Sequence, residues 1–182
     1  MCRKSWMNLQ NWICDKKGER LRLSLIHISD DKVSLLGFGL MRLPKIDPEK
    51  SDIDKEKAQE MIDYAYSHGI NYFDTAYPYH EGKSELFVGE AMKKYPRESF
   101  HLASKMPVWL VEKPEDTLKY FEEQLNKCQV EYFDYYLCHA LNHDRLEIIK
   151  KNHIFETLQK MCIRDRYGHF AGADFASGPG FL

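Results

Sequence analysis

From Asp31 onward the chain repeats one unit, a short apolar run followed by an amphipathic helix, and this alternation restricts the fold more than any other feature. The run "VSLLGFG" (33–39) is β-branched and leucine-rich and ends in a GxG turn. In "DKEKAQEMIDYAYSHG" (54–69), Ala58, Met61, Ile62, Ala65 and Tyr66 fall at helical spacing, with Asp54 placed as N-cap and Gly69 as the stop. "INYFD" (70–74) reads as a strand buried on both faces. Ser84 is placed to cap a helix over "ELFVGEAMKKY", which halts before Pro96. "FHLASK" (100–105) is the next strand. "PEDTLKYFEEQLNKC" (114–128) opens with Pro and early acids and sets Leu118, Phe121 and Leu125 on one face. "YFDYYLCH" (132–139) is a fourth strand, and a weaker helix follows around Ile154, Phe155 and Leu158.

Strands that alternate with helices imply an α/β fold with a parallel sheet and right-handed crossovers. Asp74, Lys105 and His139 each end a strand. In a (β/α)8 barrel, as in a doubly wound sheet, strand C-termini face the ligand. The first strand–helix junction, "LMRLPKIDPEKSDI", is a long proline-containing loop instead of a glycine-rich phosphate turn. The barrel is therefore the expected architecture, present as about its first four β/α units.

Composition excludes several classes. Hydrophobic residues at 43% support a packed core, and a net charge of -2 with interspersed signs argues against nucleic-acid binding or a polybasic membrane anchor. No apolar run approaches the roughly 20 residues that a spanning helix needs. The first twenty residues make a poor secretory signal. Five cysteines (Cys2, Cys14, Cys128, Cys138, Cys162) lack metal spacing, which suits a reducing, cytoplasmic setting.

The strand ends carry the chemistry. Asp74 is costly at a strand end unless it meets a cation or several donors. Lys105 ends the neighbouring strand, about 4.8 Å away. Such an ion pair serves structure as readily as chemistry. An ammonium beside a phenol favours the phenolate and makes a tyrosine usable as a general acid near neutrality. Tyr77 and Tyr79 both qualify on position. His139 could hydrogen-bond a substrate oxygen. Cys138 should point away from His139, as a buried small apolar residue. His80, His101, His143 and His153 have no mutual ligand spacing and read as surface or loop residues. A hydrolase or lyase with Lys105 as a Schiff-base residue is a competing chemistry.

"LGFGLMRLP", "FDTAYPYH", "GKSELFVGEAM", "HLASK" and "FDYYLCHA" resemble the aldo-keto reductase family in order, spacing and context, over roughly residues 31–160. The resemblance implies a catalytic tetrad of Asp74, Tyr79, Lys105 and His139. It selects Tyr79 over Tyr77, because the family's tyrosine lies five positions after the aspartate. It also implies reduction of a small-molecule aldehyde or ketone by NADPH, with Gly39, Leu40, Met41, Arg42 and Asp74 toward the nicotinamide side. The residues that grip the rest of the cofactor have no counterpart in this chain. Relatives with this "YPYH" style can carry a C-terminal iron–sulfur domain, for which no cysteine run exists here. Cofactor preference, oligomeric state and substrate are not readable. A non-catalytic half-barrel is the alternative.

Two flanking peptides read differently. "LSLIHIS" (23–29) can be written CTG TCT CTT ATA CAC ATC T, and the reverse complement contains ATG TGT ATA AGA GAC AG, which translates into the start of "MCIRDR" (161–166). They look like opposite-strand readings of one sequencing-adaptor word. The competing reading of 21–29 is a real amphipathic strand, with Leu21, Leu23 and Leu25 alternating with polar residues. The expected organisation is an unrelated extension at 1–30, the half-barrel at 31–160, and an artefactual or disordered tail at 161–182.

Overall fold

The structure, a computed structural model, describes residues 25–28 and 31–158 of the 182. The expectations for the first 24 residues and for the tail at 161–182, "MCIRDR" included, lie outside the described residues.

Strands β1 (Leu25–Ile28) and β2 (Asp31–Ser34) form an antiparallel pair, with Ile26 opposite Val33. An alternating stretch of any origin can complete such a hairpin, so the pairing is independent of how its codons arose. The remaining strands are β3 (Phe38–Gly39), β4 (Tyr72–Asp74), β5 (His101–Met106) and β6 (Tyr135–Cys138), in a sheet of order β3-β4-β5-β6. β3 and β5 both run parallel to β4. The helices are α1 (Lys55–Ser67), α2 (Lys83–Ala91), α3 (Pro114–Cys128) and α4 (His143–Lys151). The molecule is thus an α/β fold with a parallel sheet and intervening helices. Among the described residues, no helix is long and apolar enough to cross a membrane.

By contact density the chain divides into two compact units. Among the described residues, the first is 25–28 and 31–105 with Gln124–Leu137, and the second is Met106–Glu123 with 138–158. In the first unit, Phe73, Leu102, Ile62, Leu40 and Val88 are buried completely. In the second, Val108, Ile149 and Ile154 are buried, and Asn152 donates its amide to the Val111 carbonyl at 3.2 Å.

Several local expectations need correction. The run 33–39 is not one strand. Ser34 N–H donates to Asn71 Oδ1 at 2.7 Å and the chain bends, leaving Leu35 and Leu36 exposed before β3 begins. β4 is not buried on both faces, because Phe73 is buried while Tyr72 and Asp74 are only half-buried. Asp54 does cap α1, accepting from the Lys57 N–H, and Gly69 does end it at a φ of +88°. Ser84, however, does not cap α2; that position belongs to Gly82. Ser84 is fully buried, sharing a hydrogen bond with Thr75 Oγ1 and donating to the Leu40 carbonyl. On α3, Leu118 is exposed, whereas Thr117, Gln124 and Cys128 are buried. The weak helix is real over 154–158, but α4 precedes it, capped by Asn142.

Candidate active site

Lys105 organises the site. Its Nζ donates to Asp74 Oδ1 at 2.5 Å, to the Thr75 carbonyl at 2.8 Å and to Tyr79 Oη at 3.2 Å. These three acceptors match the three donor hydrogens of an ammonium. The lysine side chain is 14% exposed and the aspartate 28%, so the pair is only partly desolvated. The phenol oxygen of Tyr79 accepts in this contact, so the contact does not consume its own hydrogen.

Backbone geometry explains why these three groups meet. Asp74 ends β4 in register with Gly39 on one side and Ala103 on the other. Lys105 lies two residues beyond Ala103, on the same face of β5. Past Asp74 the chain turns: Tyr79 N–H donates to the Ala76 carbonyl, and the Tyr79 carbonyl accepts from Gly82 and Ser84 N–H, each at 3.1 Å. Three consecutive residues then have positive φ, His80 at 51°, Glu81 at 55° and Gly82 at 84°. Left-handed backbone is unfavourable for His and Glu, so the turn stores strain at the residues that follow the phenol.

The other expected residues divide. Gly39 faces open space, with nothing within 4 Å of an added Cβ, and Met41 and Arg42 are exposed. Leu40 has its side chain wholly in the core, so that side chain has no part in a ligand surface. The open backbone at Gly39 beside a partly exposed Asp74 leaves room for a ligand, and Arg42 is the one cation this loop segment (39–42) adds. His139 belongs to the second unit. There its N–H donates to the Met106 carbonyl at 3.1 Å and its ring meets Trp109 edge-on at 5.2 Å.

Tyr77 is held by Lys127, whose Nζ lies 4.0 Å from the ring centroid. Cys138 is only half-buried, though burial still raises its thiol pKa. One histidine, His101, is not the loop or surface residue expected, whereas His80 does lie in a turn. His101 lies within β5, with Nδ1 3.5 Å from Asp134 Oδ1 and its ring against Tyr135. His80 Nε2 accepts the Leu43 N–H at 3.1 Å, and burial lowers its pKa. Among the described residues, no group of three His, Cys, Asp or Glu side chains could hold a metal ion.

Sequence reasoning also missed a buried polar cluster behind Lys105. Ser104 Oγ donates to Glu85 Oε1 at 2.8 Å, and the Gln124 amide nitrogen, with two hydrogens to give, lies within hydrogen-bonding distance of Glu85, Ser104 Oγ and the Lys105 carbonyl. Tyr136 Oη donates in turn to Gln124 Oε1. Glu85 is fully buried. An acid in the first turn of a helix normally reads as a favourable dipole contact, and nothing in its spacing signals burial.

Known proteins resemble this chain in sequence and fold. The model of the Aldo/keto reductase family matches residues 35–162. A "probable aldo-keto reductase 1" of Glycine max is 36% identical over 121 residues, covering 61% of this chain and 34% of its own. The NADH-specific methylglyoxal reductase of Escherichia coli K12 is 30% identical over 128 residues, 61% of this chain and 39% of that protein. Among solved structures, an aldo-keto reductase from Bacillus halodurans in its holo form superposes with a TM-score of 0.61 at 30% identity, covering 76% of this chain and 47% of that one. The chain thus spans about a third to two fifths of the length of the curated relatives it matches. With a family model over well more than half of its residues, this chain belongs to the aldo-keto reductase family.

Proposed function

We propose that the chain carries the proton-transfer machinery of a nicotinamide-dependent carbonyl reductase acting on small aldehydes or ketones. The observation that carries this reading is the single ammonium of Lys105 bonded at once to Asp74 and to the phenol of Tyr79. A reduced nicotinamide cofactor, NADPH by family resemblance, supplies the hydride when bound. Tyr79 donates a proton to the oxygen of the carbonyl being reduced. Lys105, held by Asp74, favours electron density building on the phenol oxygen. His139 orients the carbonyl. Gly39, Met41, Arg42 and Asp74, with the backbone of Leu40, form the surface for the nicotinamide end. In this reading the strands are the opening units of a (β/α)8 barrel, and 23–29 and 161–166 are translated adaptor, a claim that the source codons decide.

The test is reduction of methylglyoxal, the compound named for the Escherichia coli relative, and of other small carbonyls with NADPH and NADH. Tyr79→Phe should lower turnover by about 10²–10⁴-fold, the span of general acid catalysis, with cofactor affinity unchanged. Undiminished turnover by that variant overturns the assignment.

A further inference from the structure

The turn that carries Tyr79 is tied to the loop that follows β3, and the central tie is an imidazole. His80 Nε2 accepts the N–H of Leu43 at 3.1 Å, immediately after the 3-10 turn Leu40–Arg42. Around it, Ser51 Oγ donates to Glu81 Oε2 at 2.5 Å, Lys83 Nζ donates to Asp52 Oδ1 at 2.6 Å, and Ser84 Oγ donates to the Leu40 carbonyl at 3.1 Å. The loop has its own internal frame, with Lys45 bridged to Ile53 and Asp54 N–H on the Pro44 carbonyl. That frame leaves the 40–43 segment to be held from outside. Leu43 itself is buried, so its N–H needs an acceptor where water is scarce.

We propose that His80 is a positioning residue whose neutral imidazole holds the 40–43 loop against the turn carrying Tyr79, and that protonation of the ring releases the loop. The proposal rests on the reading of Tyr79 as proton donor and of the 39–42 stretch as the cofactor side. An imidazole accepts through Nε2 only when that nitrogen is unprotonated, so an imidazolium turns the Leu43 contact from acceptor into a donor facing a donor. The strained left-handed backbone at His80 and Glu81 is the second observation. Strain of that kind persists where surrounding bonds over-determine the conformation, and here those bonds run to the loop. Burial of the ring favours its neutral form, with Lys45 adding to this effect and the Ser51 backbone opposing it. The charged groups of the packed segments are Arg42, Lys45, Asp47, Glu49, Lys50, Asp52 and Asp54 on the loop, and Glu81, Lys83 and Glu85 at the turn and the start of α2. Because folding depresses the proton affinity of His80, the tie is complete above the ordinary imidazole value of about 6.5 and is lost as pH falls through the lower folded value.

Amide hydrogen exchange of the full 182-residue chain, resolved by NMR, reads the tie without any turnover. The Leu43 protection factor should fall at least about tenfold between pH 8 and the lower pH at which the His80 ring resonances report protonation in the native chain, whereas Thr75 N–H, on the Ala103 carbonyl, stays protected. His80→Gln, which keeps an acceptor that does not titrate, should hold Leu43 protected at both pH values. His80→Leu should leave it unprotected at both. A Leu43 protection factor that is constant in the native chain, or unaltered by His80→Leu, overturns the proposal. If His80→Leu also loses Thr75 protection the variant has unfolded. His80→Gln then decides: a lost pH step supports the tie and a retained step refutes it. Failure of the reductase reading shows separately, in the Tyr79→Phe kinetics.

Discussion

Asp134 shows how much one side chain can hold in this fold. Its carboxylate, 4% exposed, accepts the Leu102 N–H at 2.8 Å and the Arg97 guanidinium at 2.6 Å. Arg97 also donates to the carbonyls of Tyr132 and Phe100 and lies 3.9 Å over the Tyr132 ring, so it would keep part of its environment if the acid were removed. The Leu102 N–H, in a fully buried residue, would lose its acceptor. Asp134→Ala should therefore destabilise the chain by about 3 kcal/mol, and Asp134→Asn by roughly half as much, because the amide oxygen can still serve Leu102. Urea unfolding measures both, and equal small losses would show that the acid is dispensable. In the sequence this aspartate is one polar letter inside an aromatic run, read only as strand. Periodicity reports which way a residue points and not which partner waits there. Asp74 was legible because its position at a strand end implied a cation, and the neighbouring strand end supplied one.

Helix α2 meets the end of α3 through Gly89. A Cβ at that position would sit 2.5 Å from the Lys127 carbonyl oxygen and 2.9 Å from the Cys128 carbonyl carbon, both backbone atoms that cannot swing aside. Gly89→Ala gains helix propensity of about 1 kcal/mol but must push the two segments apart, so a net loss of about 2 kcal/mol is expected. Gly39→Ala is the control: with a φ of -88° and open space around it, the change should stay within about 0.5 kcal/mol. Thermal or urea unfolding that ranks the two variants the other way would contradict this packing. The element boundaries were largely legible from caps and stops, as Asp54, Gly69 and Pro114 show. The buried face of α3 was not. An apolar stripe selects Leu118, Phe121 and Leu125, yet the hydrogen-bond cluster of Glu85, Ser104 and Tyr136 draws Gln124 inward and leaves Leu118 exposed. α4 went unread although Asn142 signals its start, because its apolar residues Leu146, Ile148 and Ile149 are few among charges.

At the scale of the whole chain, strand–helix alternation made the parallel sheet and its order legible. Contacts between residues distant in sequence, such as His80 with Leu43, had no local signal. The same contrast bears on cofactor binding. In the proposed reading the surface at Gly39, Met41, Arg42 and Asp74 takes the nicotinamide ring and its ribose, and Arg42 is the one basic side chain among these residues. A dinucleotide phosphate gains affinity chiefly from several donors or cations acting together. If these 182 residues hold only the nicotinamide end, removal of the adenosine half of the cofactor should cost little. Titration of the chain with NADPH and with reduced nicotinamide mononucleotide, followed by tryptophan fluorescence, should then give dissociation constants within about threefold of each other, a difference under roughly 1 kcal/mol. A preference of tenfold or more for NADPH would place a phosphate-gripping site within this chain and shift the search to its remaining basic residues.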